Sequence, residues 1–470
     1  MTPTVLAAGA AAASSTPPAV PLWTTLIFAG LLVGLVLCLA FEEKIHAKKS
    51  LIAGVFAVIS LFLGDAFGLL PVGDVVNIWG QHLHLPVWLQ GVDWPVIGII
   101  LGSSLFVDVT SGSGLFTWIA VKLTKASGGD PYKLLWSYGV MTVVFSAVLN
   151  NVTAMIIVGS LTAVSLDKLD RRDKLLGFLL TEGLLTNIGG LLTLISSVPN
   201  IIVGTTAGIS FMKFFVVAAP FVVIATVVTV LMAAKQFGVT RLPDEEARAK
   251  ARALVESFDE NEGLSSRAFF TFSAVMTLAF IVCIAGASAL PVLRDLGMAF
   301  VACAFAVIML VRYKSEVDRF YRAVDWDLLG FFAGLFIVIN VMEHAQVLAL
   351  IGKGLQQVLA LGDLMGSGVL LVASAGFSSV TDNIPLAAML AKILGGLGTP
   401  GESPFWWSVI FGANLGGNIT PIGSASTLVA VTIIHKNKLP MSFAGFFKAA
   451  VPYAAVQIAL ATVYVLLFLR

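Results

Sequence analysis

One polar pattern occurs twice in this chain, each time inside an apolar stretch long enough to cross a membrane. Asn187-Ile188-Gly189-Gly190-Leu191-Leu192-Thr193-Leu194-Ile195-Ser196-Ser197-Val198-Pro199-Asn200 aligns without a gap on Asn414-Leu415-Gly416-Gly417-Asn418-Ile419-Thr420-Pro421-Ile422-Gly423-Ser424-Ala425-Ser426-Thr427. Glycine pairs, amides, hydroxyls and a proline interrupt a helix. In hydrocarbon an interrupted backbone is tolerated only where it is buried in protein or lines a wet cavity. Corresponding breaks in two apolar segments point to a solute site between repeats. Of the 470 residues 58% are hydrophobic and 12% charged, against roughly 25% charged in soluble domains. The fold class is therefore an all-α polytopic membrane protein.

The same composition excludes several functions. No basic patch interleaved with aromatics suggests nucleic acid. Cys38, Cys283 and Cys303 sit in apolar runs without metal-ligand spacing, and the five histidines are scattered. No nucleophile–base pair falls within the spans, so an intramembrane enzyme is not indicated. No cofactor is expected beyond Na⁺ or H⁺ as a coupling ion.

Charge sets the sides. The Lys-bearing stretch after the first span is read as cytoplasmic and the Lys-free loop 71–94 as external, which puts the N-terminus outside. Residues 1–20 are expected to be a disordered lead, and 21–234 a first repeat with spans at 21–41, 51–70, 95–109, 175–204 and 214–234. Residues 235–267 form a hydrophilic cytoplasmic linker with one solvated helix. Residues 268–470 form a second repeat, with spans at 268–290, 298–311, 328–342, 405–434 and 443–469. Short interfacial helices are expected at 115–126 and 347–361. Five spans per half is an odd number, so the second half is inverted relative to the first.

Each half also holds an apolar pair broken by polar residues, at Asn150-Asn151 and at Thr381-Asp382-Asn383. Basic charge at both ends of the first pair indicates a half-depth re-entrant hairpin from the cytoplasm. The second enters from outside. Where a helix breaks, orphaned N–H groups attract anions and orphaned C=O groups attract cations. The candidate ion- and substrate-binding set is Asn150, Asn151 and Thr153; Asn187, Gly189, Gly190, Thr193, Ser197 and Asn200; Asp382 and Asn383; and Asn414, Gly416, Gly417, Asn418, Thr420 and Ser424. An intramembrane carboxylate is costly unless it is paired. Asp382 is therefore the first candidate for proton coupling and, with Asn383, for Na⁺. Asp108, Glu182 and Glu343 are the remaining acids that a proton route would use.

These motifs resemble a known group. Ser146-Ala147-Val148-Leu149-Asn150-Asn151-Val152-Thr153 and the first break resemble the melanosomal P protein and related permeases. Thr381-Asp382-Asn383-Ile384-Pro385 and the second break resemble arsenite permeases and D-type sodium/proton antiporters. All belong to the ion-transporter superfamily, which includes carriers with a citrate-transporter-like domain. The resemblance implies a homodimer, a scaffold and a transport domain built of hairpins and broken helices, and secondary transport in a bacterial inner membrane. The expected function is transport of a small inorganic ion or oxyanion, coupled to H⁺ or Na⁺. A Na⁺/H⁺ antiporter and a carboxylate carrier stay open as alternatives; the absence of Lys and Arg from all four motifs speaks against the latter.

Overall fold

The computed structural model describes residues 20–469 apart from residues 78 and 262. The expected disordered lead, all but its last residue, lies outside the described residues. Among the described residues, eight helices are long and apolar enough to cross a membrane. The first half runs Leu22–Ala40, Lys49–Ala66, Trp94–Gly112, the short helix Leu115–Ser127, the hairpin Pro131–Val148 with Asn151–Lys168, the broken helix Leu175–Gly189 with Val198–Thr206, and Phe211–Gln236. The second half repeats that order: Arg267–Gly286, Pro291–Arg312, Trp326–His344, Val347–Leu359, Gly362–Ser378 with Asn383–Gly396, Pro404–Gly416 with Ala425–Lys436, and Phe443–Phe468.

Local chemistry repeats with the order. The Asp93 carboxylate caps Trp94–Gly112 by accepting from Val96 N at 3.2 Å, and Asp325 caps Trp326–His344 by accepting from Leu328 N at 2.9 Å. The Trp94 indole donates to Leu89 O at 3.1 Å and the Trp326 indole to Tyr321 O at 3.0 Å. Packing then exchanges the halves. Lys49–Ala66 lies along Trp326–His344, and Trp94–Gly112 along Pro291–Arg312.

Burial sorts the helices into a centre and a rim. Pro404–Gly416 is buried on every face, as is nearly all of Leu175–Gly189, the signature of a helix at the centre of a membrane protein. Leu22–Ala40, Lys49–Ala66 and Arg267–Gly286 instead expose large apolar side chains, among them Val33, Val58, Phe62, Leu278 and Val282. In hydrocarbon such a face meets lipid tails at no cost.

The structure adds detail to these expectations and shifts one helix boundary. The hairpin arms have 18 and 18 residues in the first hairpin and 17 and 14 in the second, and none of the four is among the eight described helices long and apolar enough to cross a membrane. At 1.5 Å per residue the longest arms are about 27 Å long. The loop 71–94 also holds a two-stranded antiparallel ribbon, Asp74–Val76 with His82–His84. The Asn77 side-chain oxygen turns that chain by accepting from Trp79 N and Gln81 N, each at 2.9 Å. The span expected at 298–311 begins at Pro291, ahead of a kink at Gly297, whose φ of 79° is a conformation that side chains disfavour.

The linker does more than connect. Its helix Glu245–Glu256 packs on the first short helix, and Lys122 ion-pairs with Glu260 at 2.8 Å. That hydrogen bond, with Lys125 beside it, holds the Glu260 carboxyl below its usual range. Buried Asp130 caps the first hairpin through Lys133 N and accepts from Leu242 N of the linker, both at 3.0 Å. Asp130→Ala should cost about 1 kcal/mol through the lost cap. A lowered melting temperature in detergent and faster proteolysis between residues 236 and 267 would register it; unchanged proteolysis would mean that the linker is held by other contacts.

Candidate functional site

The two breaks span Gly190 to Ser197 and Gly417 to Ser424, each leading into a proline-proximal or Ser-capped second half-helix. They face each other at the centre of the molecule. Ser197 Oγ donates to Asn414 Oδ1 at 2.7 Å, and Asn187 Nδ2 donates to Ser424 Oγ at 2.9 Å. These two bonds join equivalent positions of the duplicated motif. The hairpins are fastened by equivalent bonds as well. Thr193 donates to Ala147 O and Thr420 to Ser379 O, each at 2.6 Å; Ser146 donates to Thr186 O and Ser378 to Ala413 O, also at 2.6 Å.

Most of the polar pattern is therefore consumed in holding the crossing together. Asn187, Asn200, Asn414 and Asn418 are all fully buried. Asn187 also donates to Asn418 Oδ1 at 2.8 Å and accepts from Ser426 at 3.1 Å and from Asn151 of the first tip at 3.4 Å. Asn414 donates to Asn200 Oδ1 at 2.8 Å, and Asn200 donates to Gly190 O at 2.6 Å and Thr193 O at 3.0 Å. Asn418 extends the network through Gln457 Oε1 at 2.8 Å, and Gln457 donates to Thr229 at 2.9 Å. Buried polar groups left unmatched are expensive, so these bonds fix one geometry at the breaks.

Asp382 and Ser424 are placed differently. Both line a cavity of about 530 Å³ together with Glu42, Lys44, Lys49, Asp325, Asp327 and Thr381. Asp382 Oδ1 caps its hairpin helix by accepting from Ile384 N at 3.1 Å, while Oδ2 accepts from the Lys49 ammonium at 2.5 Å. The chain thus brings its own cation to a carboxylate that the sequence leaves unpaired. A second cavity of about 420 Å³, walled almost wholly by apolar side chains such as Val36, Leu355, Leu370 and Met389, also reaches Asp382.

The remaining candidates separate. Asn150 is exposed and caps its hairpin arm by accepting from Thr153 N at 2.8 Å, whereas Asn383 is buried beside Asp382. Gly189 and Gly416 are sites of close helix contact, and Gly190 abuts Asn151. Glu182 accepts from Thr162 at 2.5 Å, and its other oxygen has no partner among the described residues. Thr162 lies 12 residues along the hairpin from Asn150, about 18 Å of helix. Glu343 pairs with Lys392 at 3.2 Å, some 15 Å along its hairpin from Asp382 by the same rise. Asp108 is half-buried in Trp94–Gly112. The structure does not gather these three acids at the tips. No group of three or more His, Cys, Asp or Glu suited to a metal ion occurs among the described residues, so a bound Na⁺ would rely on Asp382 with hydroxyl, amide or carbonyl oxygens.

Lys49, Gln457, Ser426 and Thr229 were missed at the sequence level. Gln457 left a signal, being a lone amide inside an apolar span. Lys49 left none, because it reads as an ordinary cytoplasmic loop charge.

Residues 36–412 match the family model described as citrate transporter. An uncharacterized transporter of Mycobacterium bovis is 30% identical over 381 residues, which cover 80% of this chain and 86% of that protein. The P protein of Homo sapiens is 23% identical over 506 residues, covering 90% of this chain and 60% of that protein. The crystal structure of the Alcanivorax borkumensis YdaH transporter shares the fold, with a TM-score of 0.58 over 94% of this chain and 97% of that one at 13% identity. With the family model matching most of its length, the chain is an integral membrane transporter, not an enzyme, and belongs to the citrate transporter family.

Proposed function

We propose that the protein is a secondary active transporter of a small inorganic ion or oxyanion, coupled to H⁺ or Na⁺ and working by alternating access. One observation carries this reading. A hairpin-tip carboxylate, Asp382, lines with Ser424 a cavity that also holds Glu42, Lys44, Lys49, Asp325 and Asp327, beside two interlocked helix breaks. Hydroxyls from Thr381 and Ser424, with the Asp382 carboxylate already balanced by Lys49, suit a small solute with a coupling cation. The hairpins and broken helices form the moving unit, and the long lipid-facing helices form the scaffold. The two halves lie inverted in a bacterial inner membrane, with the N-terminus outside, the linker in the cytoplasm and two copies forming a dimer. In that orientation Glu42 and Lys44 mark the cavity mouth as cytoplasmic.

A Na⁺/H⁺ antiporter is the second reading, favoured by one contact: Asp382 already accepts a cationic group at 2.5 Å. Flux in proteoliposomes containing a pH dye separates the two. Na⁺, Li⁺, arsenite and citrate are added outside in turn, for wild type and Asp382→Asn. Proton movement driven by Na⁺ alone supports the antiporter; movement driven only by an oxyanion or carboxylate supports the solute carrier and names its solute class. In either case Asp382→Asn should fall to the level of empty liposomes. A variant as active as wild type would remove Asp382 from the mechanism and direct attention to Asp108, Glu182 and Glu343.

A further inference from the structure

The Lys49–Asp382 pair joins two parts of the molecule that transport must move apart. Lys49 opens a long helix whose outer face is exposed and whose inner face packs on Trp326–His344. Its base is fixed there: Ser50, the next residue, hydrogen-bonds through its hydroxyl to Asp327 at the start of that helix. Asp382 belongs to the hairpin that is fastened to the helix break through Thr420 and Ser378. The ion pair therefore bridges a rigid helix pair and the hairpin tip. Both side chains are mostly buried, 27% and 14% exposed, so solvent screens the pair poorly.

We infer that Lys49 is a tethered cation: its ammonium occupies the Asp382 carboxylate while no transported cation is bound, and the coupling cation binds by displacing it. The inference rests on Asp382 being the coupling site. Several charges face the pair across the cavity. Glu42 stands 3.7 Å from the Lys49 nitrogen, and Lys44, Asp325 and Asp327 line the same space. Glu42 already shares the Lys49 ammonium with Asp382, so an ammonium displaced from Asp382 keeps a carboxylate within the cavity. The tether thus has a resting position on Asp382 and an alternative one within reach. A cation can reach Asp382 only in the fraction of molecules whose tether is off, which lowers apparent affinity by that fraction. The same pair also ties the hairpin tip to the helix Lys49–Ala66.

The test uses the full chain in proteoliposomes and reads the cation concentration for half-maximal flux, with Na⁺ or, by external pH, H⁺. Lys49→Gln should lower that concentration by about fivefold or more, and Lys49→Arg should stay near wild type. For a readout on one folded sample, Lys49→Cys is made in a background with Cys38, Cys283 and Cys303 replaced by Ser. Modification with a methanethiosulfonate carrying an ethylammonium group rebuilds a cation there and should return the value toward wild type; a neutral methanethiosulfonate should not. If Lys49→Gln leaves the half-maximal concentration unchanged while Asp382→Asn abolishes coupling, the tether is wrong and Asp382 stands. If Asp382→Asn retains the cation response, both fall. Recovery by the neutral reagent would likewise overturn the tether, since bulk rather than charge would then be responsible.

Discussion

Gly416→Ala and Gly189→Ala are each expected to leave little folded protein. At Gly416 a Cβ would run into the Ala375 carbonyl oxygen and lie 2.8 Å from both Ala375 Cα and Ser378 Cβ. At Gly189 it would lie 2.6 Å from Val143 O, 2.7 Å from Val143 Cα and 2.9 Å from Ser146 Cβ. The obstacles are helix backbone, which cannot swing aside as a side chain can. Overpacking of a core costs about 1–3 kcal/mol and sometimes more, and here the hairpin itself would have to be displaced. That displacement would also break Ser378→Ala413 O or Ser146→Thr186 O, which close the same contact. The measurement is yield of monodisperse protein and thermal unfolding in detergent. Gly354→Ala, with open space where the Cβ would go, serves as the control and should be near neutral. Wild-type melting of either close-contact variant would show that the hairpins can shift without cost.

Asn187→Leu should be the most damaging polar substitution. It removes two donors and one acceptor, leaving Asn418, Ser424, Ser426 and Asn151 without a shared partner. Each buried group so stranded costs about 1–3 kcal/mol. A loss of roughly 3 kcal/mol or more in detergent unfolding is expected, with flux abolished because the two breaks lose register. Its equivalent, Asn414→Leu, should behave similarly by stranding Ser197 and Asn200. A double-mutant cycle between Asn187 and Ser424 isolates the bond between the halves and should give a coupling of about 1 kcal/mol. Zero coupling would mean that the central crossing is held by the other amides.

Much of the fold is legible from the chain alone because hydrocarbon punishes polarity locally. Asn150-Asn151, Thr381-Asp382-Asn383 and the two Gly-Gly breaks stand out against apolar surroundings, and each marks a helix end in the structure. The linker helix is equally plain, since its charged residues cannot lie in lipid. The ribbon in the loop 71–94 escaped because it is two three-residue strands turned by short-range bonds at Asn77. Interruption of an apolar run gives the position of a tip, not the length of its arms, which only the structure supplies.

The candidate site divides along the same line. That Asn187, Asn414, Asn418 and Asn200 matter was evident from their repetition within apolar segments. That they bond to one another, and leave Asp382 and Ser424 to face the cavity, depends on partners more than two hundred positions away, 237 between Asn187 and Ser424 and 333 between Lys49 and Asp382. The sequence by itself determined where the membrane helices run, where they break and which polar residues need partners, because desolvation acts on each residue where it stands. Only the tertiary structure decided who those partners are, because pairing follows from how rigid helices dock. That docking turned most of the duplicated polar motif into internal fastening and delivered a loop lysine to the one charged tip.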